Sequence, residues 1–145
     1  MDESLYYKPF LDRLKKFIIE ANRQGLNVDM QCGYRSFAEQ DKLFNQVPKV
    51  TNARGGFSWH NYGTAADVVF KDKNGKWTWS NPDKDWKKLG EIGKSCGLEW
   101  GGDWAKFPDR PHFQYTKGLS IRTALRLHQQ GGIGLVWLEI DKIHG

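Results

Sequence analysis

Residues 58–67 read Ser58-Trp59-His60-Asn61-Tyr62-Gly63-Thr64-Ala65-Ala66-Asp67, and farther along the chain stands Asp109-Arg110-Pro111-His112. Together the two segments offer two imidazoles and a carboxylate as potential metal ligands, with a second carboxylate close to the last imidazole. Three protein ligands leave the fourth position of a tetrahedral zinc ion open for water, which distinguishes catalytic from structural zinc. The spare carboxylate would then accept a proton from that water. These residues alone indicate a hydrolase.

Asp67 interrupts an otherwise apolar segment, residues 65–70, which predicts a buried strand. A buried carboxylate needs a partner, because burial of an unsatisfied polar group costs about 2–7 kcal/mol. On this strand alone, an ion pair with Arg or Lys and a metal site explain Asp67 equally well. His60 favours the metal, because Gly63 allows the intervening turn to fold back toward the strand.

Asp109 admits three interpretations: a general base, a fourth zinc ligand that would close the site, or a carboxylate that caps a loop. We favour the base. Arg35 is a candidate for stabilising an oxyanion or binding an acidic group, although a solvated surface arginine is at least as good an explanation. Ser58 would contact substrate or orient a ligand, or simply occupy a turn. Trp100 and Trp104 would wall a cleft or fill the core.

The composition predicts one folded domain, residues 1–145, with a basic surface. The chain has 145 residues, 39% of them hydrophobic, and a net charge of +5. That length provides for one domain with a sizeable core and leaves little for a second. The charge suits an anionic environment such as a bacterial envelope, or is an ordinary basic surface. No nucleic-acid-binding motif is present, so we expect no nucleic-acid partner.

The amino-terminal residues show neither the basic nor the apolar region of a secretion signal, which predicts synthesis in the cytoplasm. The longest apolar run, from Ile133 to Leu138, is too short for a transmembrane segment. Cys32 and Cys96 lack the close spacing of a zinc knuckle or redox motif. We expect two buried reduced thiols, with a single disulfide as the alternative.

Hydrophobic periodicity and turn residues predict an α+β fold, with helices flanking a small, mostly antiparallel sheet. The helices are predicted over about 5–23, 37–46, 82–96 and 120–130. The strands are predicted over about 27–32, 65–70, 77–79, 98–100, 111–115 and 134–140. The carboxyl-terminal part, about 119–141, is thus expected to contain one helix and one last strand.

With these residues identified, the chain resembles the LAS group of zinc peptidases, which share a hedgehog-like fold. Within it the chain is similar to the branch of D-alanyl-D-alanine carboxypeptidases and L-alanyl-D-glutamate endopeptidases that includes small phage endolysins. The matching segments are Gly33-Tyr34-Arg35-Ser36, Ser58-x-His60-x-x-Gly63-x-Ala65-x-Asp67, Trp100-Gly101-Gly102-Asp103-Trp104 and Asp109-x-x-His112. The second segment fixes five residue types, a pattern expected by chance at roughly one starting position in a million.

The resemblance implies zinc bound by His60, Asp67 and His112, with Asp109 as the catalytic base. It also implies that Arg35 polarises the scissile carbonyl. Many relatives carry Glu at the position of Asp109, and the Asp form is more similar to the endolysin branch. Ser58, Trp100 and Trp104 remain the candidates for contacts with substrate.

The implied activity is zinc-dependent hydrolysis of the L-alanyl-D-glutamate bond in the stem peptide of bacterial peptidoglycan. A phage-type endolysin without a secretion signal would wait in the host cytoplasm and reach the cell wall through membrane lesions. We expect it to act as a monomer. Two alternatives stay open: a D-alanyl-D-alanine carboxypeptidase or dipeptidase, and a non-catalytic module that binds the cell wall.

Overall fold

The computed structural model describes residues 1–144, so Gly145, the last residue of the predicted domain, lies outside the described residues. Its helices are α1 (Lys8–Arg23), α2 (Phe37–Phe44), α3 (Asp83–Ser95), α4 (Ile121–Gly131) and α5 (Ile133–His144). Its strands are β1 (Val28–Cys32), β2 (Ala65–Lys71), β3 (Trp77–Thr78), β4 (Glu99–Trp100) and β5 (His112–Gln114). Short 3-10 helices cover Glu3–Leu5, Trp59–Tyr62 and Gly101–Asp103.

The chain divides into two compact units, each assembled from separated stretches. The sheet unit consists of Lys8–Gly33 and Ala65–Tyr115. The helical unit consists of Met1–Tyr7, Tyr34–Thr64 and, in the described part of the chain, residues 116–144.

In the sheet unit, the strands follow the order β1-β2-β5-β4, and β3 pairs with β2. All of these pairings are antiparallel, which confirms the predicted α+β class, and β2 and β3 form a hairpin. Helices α1 and α3 contribute aromatic side chains to the core. Phe17 of α1 lies 4.5 Å from Phe113, and Trp86 of α3 lies 4.8 Å from Phe70, measured between ring centroids.

In the helical unit, α2 begins with a capping box. Ser36 accepts a hydrogen bond from the Glu39 amide, and the Glu39 carboxylate accepts one from the Ser36 amide. Phe37 of this helix stacks on His128 of α4, with 4.6 Å between ring centroids. Trp137 of α5 donates its indole N–H to the carbonyl of Tyr62 over 2.7 Å. The helices thereby pack around the short 3-10 helix Trp59–Tyr62.

The prediction of a strand over 134–140 is wrong, because these residues belong to helix α5. Val136 and Ile140, one helical turn apart, are both fully buried, whereas Leu138 between them is 56% exposed. The apolar run from Ile133 to Leu138 fits the period of a strand and that of a helix equally well. The packing of α5 on α4 therefore determines that the segment is a helix.

The cysteines also differ from expectation in their burial. Cys32 and Cys96 are thiols, as predicted, but both are partly exposed rather than buried. Across residues 1–144, the helices are all too short or too polar to cross a membrane.

Gly63 ends the 3-10 helix in a left-handed conformation, with φ of 66°, and a Cβ at this position would lie 2.2 Å from the carbonyl oxygen of Leu5. We expect Gly63→Ala to lower the free energy of unfolding by about 2–5 kcal/mol. Roughly 1–2 kcal/mol comes from the backbone conformation, and about 1–3 kcal/mol comes from the overlap. Chemical denaturation measures this loss.

Gly75 provides the matched control, because its φ is 78° and nothing lies within 4 Å of the added Cβ. Gly75→Ala should therefore cost only the backbone term, about 1–2 kcal/mol. Equal losses for the two variants would contradict the close approach at Gly63.

Candidate metal centre

Asp67 and His112 face each other across neighbouring strands of the sheet unit. They are directly paired in the β2–β5 register, and Asp67 Oδ1 lies 3.5 Å from His112 Nδ1. Two ligand atoms on one tetrahedral zinc ion, each about 2.1 Å from the metal, are about 3.4 Å apart. The pair therefore has the spacing of two atoms that share one ion.

His60 lies on the 3-10 helix Trp59–Tyr62 and is 5% exposed. Ser58 caps this helix, and its hydroxyl accepts a hydrogen bond from the His60 amide over 3.3 Å. The buried side chain of Asn61 accepts from the Gly56 amide over 3.0 Å and donates to the Arg35 carbonyl over 2.9 Å. Ser58 thus orients the turn that carries His60, which is one of the roles considered for it from sequence.

The structure brings the three predicted ligands together. His60, Asp67 and His112 each offer one ligand atom, and these atoms all lie within 4.8 Å of one another. Two imidazole nitrogens and one carboxylate oxygen are the donor types that zinc accepts in catalytic sites with an open fourth position. The residues present therefore fit a single zinc ion.

Asp109 is an exposed residue held at the entrance to β5. Its amide donates to the Gly101 carbonyl over 2.9 Å, and its own carbonyl accepts from the His112 amide over 3.2 Å. A Cβ on Gly101 would lie 2.4 Å from the Asp109 carbonyl oxygen, so this close approach needs glycine. The turn fixes the backbone of Asp109 beside His112 and leaves its side chain on the solvent side.

Arg35 is half-buried in the helical unit, and its guanidinium donates to Gln40 Oε1 over 2.8 Å. Gln40 is only 1% exposed, and its amide nitrogen donates to the Ala53 carbonyl over 2.7 Å. This buried glutamine orients one side of the guanidinium. This role could not be predicted from the sequence, because a glutamine in an amphipathic helix gives no sign of which partner it will contact.

The two tryptophans considered for the cleft occupy different environments. Trp100 is 8% exposed and donates its indole N–H to the Arg110 carbonyl over 2.8 Å. Its burial favours the core role that was left open from sequence. Trp104 is 40% exposed, and its ring centroid lies 5.1 Å from that of His112. Trp104 is therefore the tryptophan that provides an apolar surface next to a predicted ligand.

Two further polar residues beside His112 were not predicted. Gln114 contacts the His112 ring nitrogen Nε2 through its amide oxygen at 2.7 Å, and its amide nitrogen donates to Glu99 over 3.3 Å. The available sequence signal was the spacing of two residues along a strand, which places His112 and Gln114 on the same face.

Residues 51–115 match the model of the family described as D-alanyl-D-alanine carboxypeptidase. Over 106 residues the chain is 42% identical to the peptidoglycan L-alanyl-D-glutamate endopeptidase CwlK of Bacillus subtilis. This match covers 65% of this chain and 64% of CwlK. Over 68 residues it is 46% identical to the L-alanyl-D-glutamate peptidase of Listeria phage A118, covering 46% of this chain and 24% of that protein.

The fold is similar to the crystal structure of the L-Ala D-Glu endopeptidase ChiX of Serratia marcescens. The TM-score is 0.53 at 28% sequence identity, with 77% of this chain and 81% of ChiX covered. The match covers less than two thirds of the length of each of the two sequence relatives. These comparisons confirm the family resemblance that the sequence motifs indicated.

Proposed function

We propose that this chain, a member of the LAS-type family of D-alanyl-D-alanine carboxypeptidases and L-alanyl-D-glutamate endopeptidases, is a zinc-dependent peptidase that cuts the L-alanyl-D-glutamate bond of the peptidoglycan stem peptide. The observation that carries this proposal is the group of His60, Asp67 and His112, with one ligand atom of each within 4.8 Å of the others. The names of the Bacillus, Listeria phage and Serratia relatives support the choice of bond.

In the proposed reaction, His60, Asp67 and His112 hold the ion. Bound zinc supplies a Lewis acid and a water that ionises near neutral pH. Asp109 takes the proton from the attacking water and returns it to the departing amine. Arg35, held by Gln40, donates hydrogen bonds to the carbonyl oxygen as negative charge develops there. We propose that Trp104 contributes to the substrate-facing surface and that Ser58 orients the turn that carries the ligand His60.

The test is a digest of purified peptidoglycan analysed by mass spectrometry. The proposal predicts new amino-terminal D-glutamate on the stem peptides. Free D-alanine would show the rival carboxypeptidase or dipeptidase specificity, which the description of the matching family favours. An undigested wall that still retains the protein would show a non-catalytic binding module.

The setting of this activity is also part of the proposal. We propose one monomeric peptidase domain over residues 1–145 that is made in the host cytoplasm and reaches peptidoglycan through membrane lesions, as a phage-type endolysin would. The phage relative supports this setting. The net charge of +5 suits the acidic polymers of a bacterial envelope.

Gln40 allows the proposed role of Arg35 to be tested without removing the arginine. Gln40→Leu removes the acceptor that holds the guanidinium, so we expect kcat/KM on a stem peptide to fall about 10–100-fold, since a misplacement of about 1 Å costs on the order of 10²-fold. Zinc affinity should stay unchanged. The same variant should lose about 1–3 kcal/mol of stability, because the Ala53 carbonyl loses its donor.

Gln130→Leu, an exposed substitution on α4, serves as the control and should leave kcat/KM and stability unchanged. A folded Gln40→Leu protein with the parental kcat/KM would show that Arg35 does not depend on Gln40.

A further inference from the structure

A hydrogen-bonded chain of three side chains runs across two strands of the sheet unit. Gln114 Oε1 lies 2.7 Å from His112 Nε2, and Gln114 Nε2 lies 3.3 Å from Glu99 Oε1. Glu99 and Gln114 are directly paired in the β4–β5 register. His112 and Gln114 are two residues apart on β5, so their side chains stand on the same face. The sheet itself therefore places the three groups in line.

The order of donors and acceptors along this chain follows from Glu99. An ionised carboxylate can only accept hydrogen bonds, so the Gln114 amide must present its NH₂ group to Glu99 and its oxygen to His112. The reversed amide would place an oxygen against a carboxylate oxygen, with no proton between them. Since an amide oxygen also only accepts, His112 Nε2 must carry the proton.

The tautomer of His112 decides which nitrogen can bind a cation. A neutral imidazole with its proton on Nε2 has its lone pair on Nδ1, and Nδ1 is the atom that lies 3.5 Å from Asp67 Oδ1. Two electron-pair donors then face each other at the separation of two ligands on one ion. With the proton on Nδ1 instead, that nitrogen would direct an N–H toward Asp67 and would have no lone pair for the ion.

We infer that Gln114 and Glu99 are positioning residues, which hold His112 in the Nε2–H tautomer and so present Nδ1 as a metal ligand. The part of this inference that concerns zinc rests on the proposed function, and the part that concerns the tautomer does not. Partners of this kind fix ring orientation, and their removal weakens metal affinity about 10–100-fold.

The decisive variant is Gln114→Met, which removes both hydrogen-bonding groups at similar volume. We expect its zinc dissociation constant, measured by competition with a chromophoric chelator, to rise about 10–100-fold. In the metal-free wild-type protein, ¹⁵N-resolved NMR of the imidazoles should show His112 with its proton on Nε2. In Gln114→Met, the Nδ1–H form should become populated, a change that loss of packing alone would not produce.

Two further variants separate the hydrogen-bonded chain from general effects of substitution in the sheet. Gln31→Met replaces an exposed glutamine on β1 of the same sheet and should leave zinc affinity and tautomer unchanged. The double variant Gln114→Glu/Glu99→Gln exchanges the two groups, so that a carboxylate accepts from His112 and an amide donates to that carboxylate. It should keep the Nε2–H tautomer and bind zinc within about threefold of the wild-type protein, well inside the loss expected for a broken chain.

The outcomes distinguish this inference from the proposed function. Wild-type protein that shows the Nε2–H tautomer and binds zinc but leaves peptidoglycan intact would refute the proposed activity and support the positioning role. An Nδ1–H tautomer in the wild-type protein would overturn the positioning role whatever the activity. So would an unchanged zinc affinity in a folded Gln114→Met variant.

Discussion

Asp67→Asn is expected to remove zinc and peptidoglycan cleavage together. The substitution keeps the shape of the side chain and replaces a charged ligand by a neutral amide. Zinc binding by a full ligand set is worth about 10–16 kcal/mol, so weakening one ligand should reduce affinity by about 10²–10⁴-fold. Inductively coupled plasma mass spectrometry of the purified variant measures bound zinc, and release of stem-peptide fragments measures turnover.

Asp29→Asn is the matched control for that substitution. Asp29 lies on β1, pairs with Val69 of β2, and forms an exposed ion pair with Lys71. Exposed pairs contribute little to stability, so this variant should keep its zinc and its activity. An Asp67→Asn protein that retains a full equivalent of zinc would exclude Asp67 as a ligand.

Asp109→Asn is expected to separate metal binding from catalysis. If Asp109 is the base, zinc content stays at the wild-type level while kcat falls about 10²–10⁴-fold, the usual contribution of general acid–base catalysis. Asp109→Glu should recover part of the lost activity, because it restores a carboxylate with one additional methylene. Asp103→Asn, which alters an exposed carboxylate paired with Lys94, is the control and should leave turnover unchanged.

The results that would contradict this role have distinct meanings. Loss of zinc in Asp109→Asn would show that the carboxylate is a fourth zinc ligand, which is one of the alternatives that the sequence left open. Parental wall clearance by Asp109→Asn would show that Asp109 is not the catalytic base.

Local sequence signals were sufficient wherever neighbouring residues determine the structure. The capping box of Ser36 and Glu39 is such a local feature, because both partners lie within one helical turn. Gly63 predicted a turn because few other residues tolerate its positive φ. Asp67 predicted a partner because a carboxylate inside an apolar strand is costly without one.

The features that could not be predicted from the sequence depend on contacts between residues far apart in the chain. Helix α5 could not be distinguished from a strand, because its apolar run fits both periods until α4 buries Val136 and Ile140. Gln40 and Gln114 are ordinary polar residues until the fold places Arg35 beside one and His112 beside the other. The burial of Trp100 likewise follows from its packing against Gly90 and Gly102, where added Cβ atoms would lie 2.4 and 2.2 Å from the ring.

Anomalous diffraction at the zinc edge from crystals of the zinc-loaded protein would show directly whether His60, Asp67 and His112 bind one zinc ion. We expect a single peak about 2.0–2.2 Å from one nitrogen of His60, one oxygen of Asp67 and Nδ1 of His112. A peak at any other group of residues, or no peak in crystals grown with zinc, would contradict it.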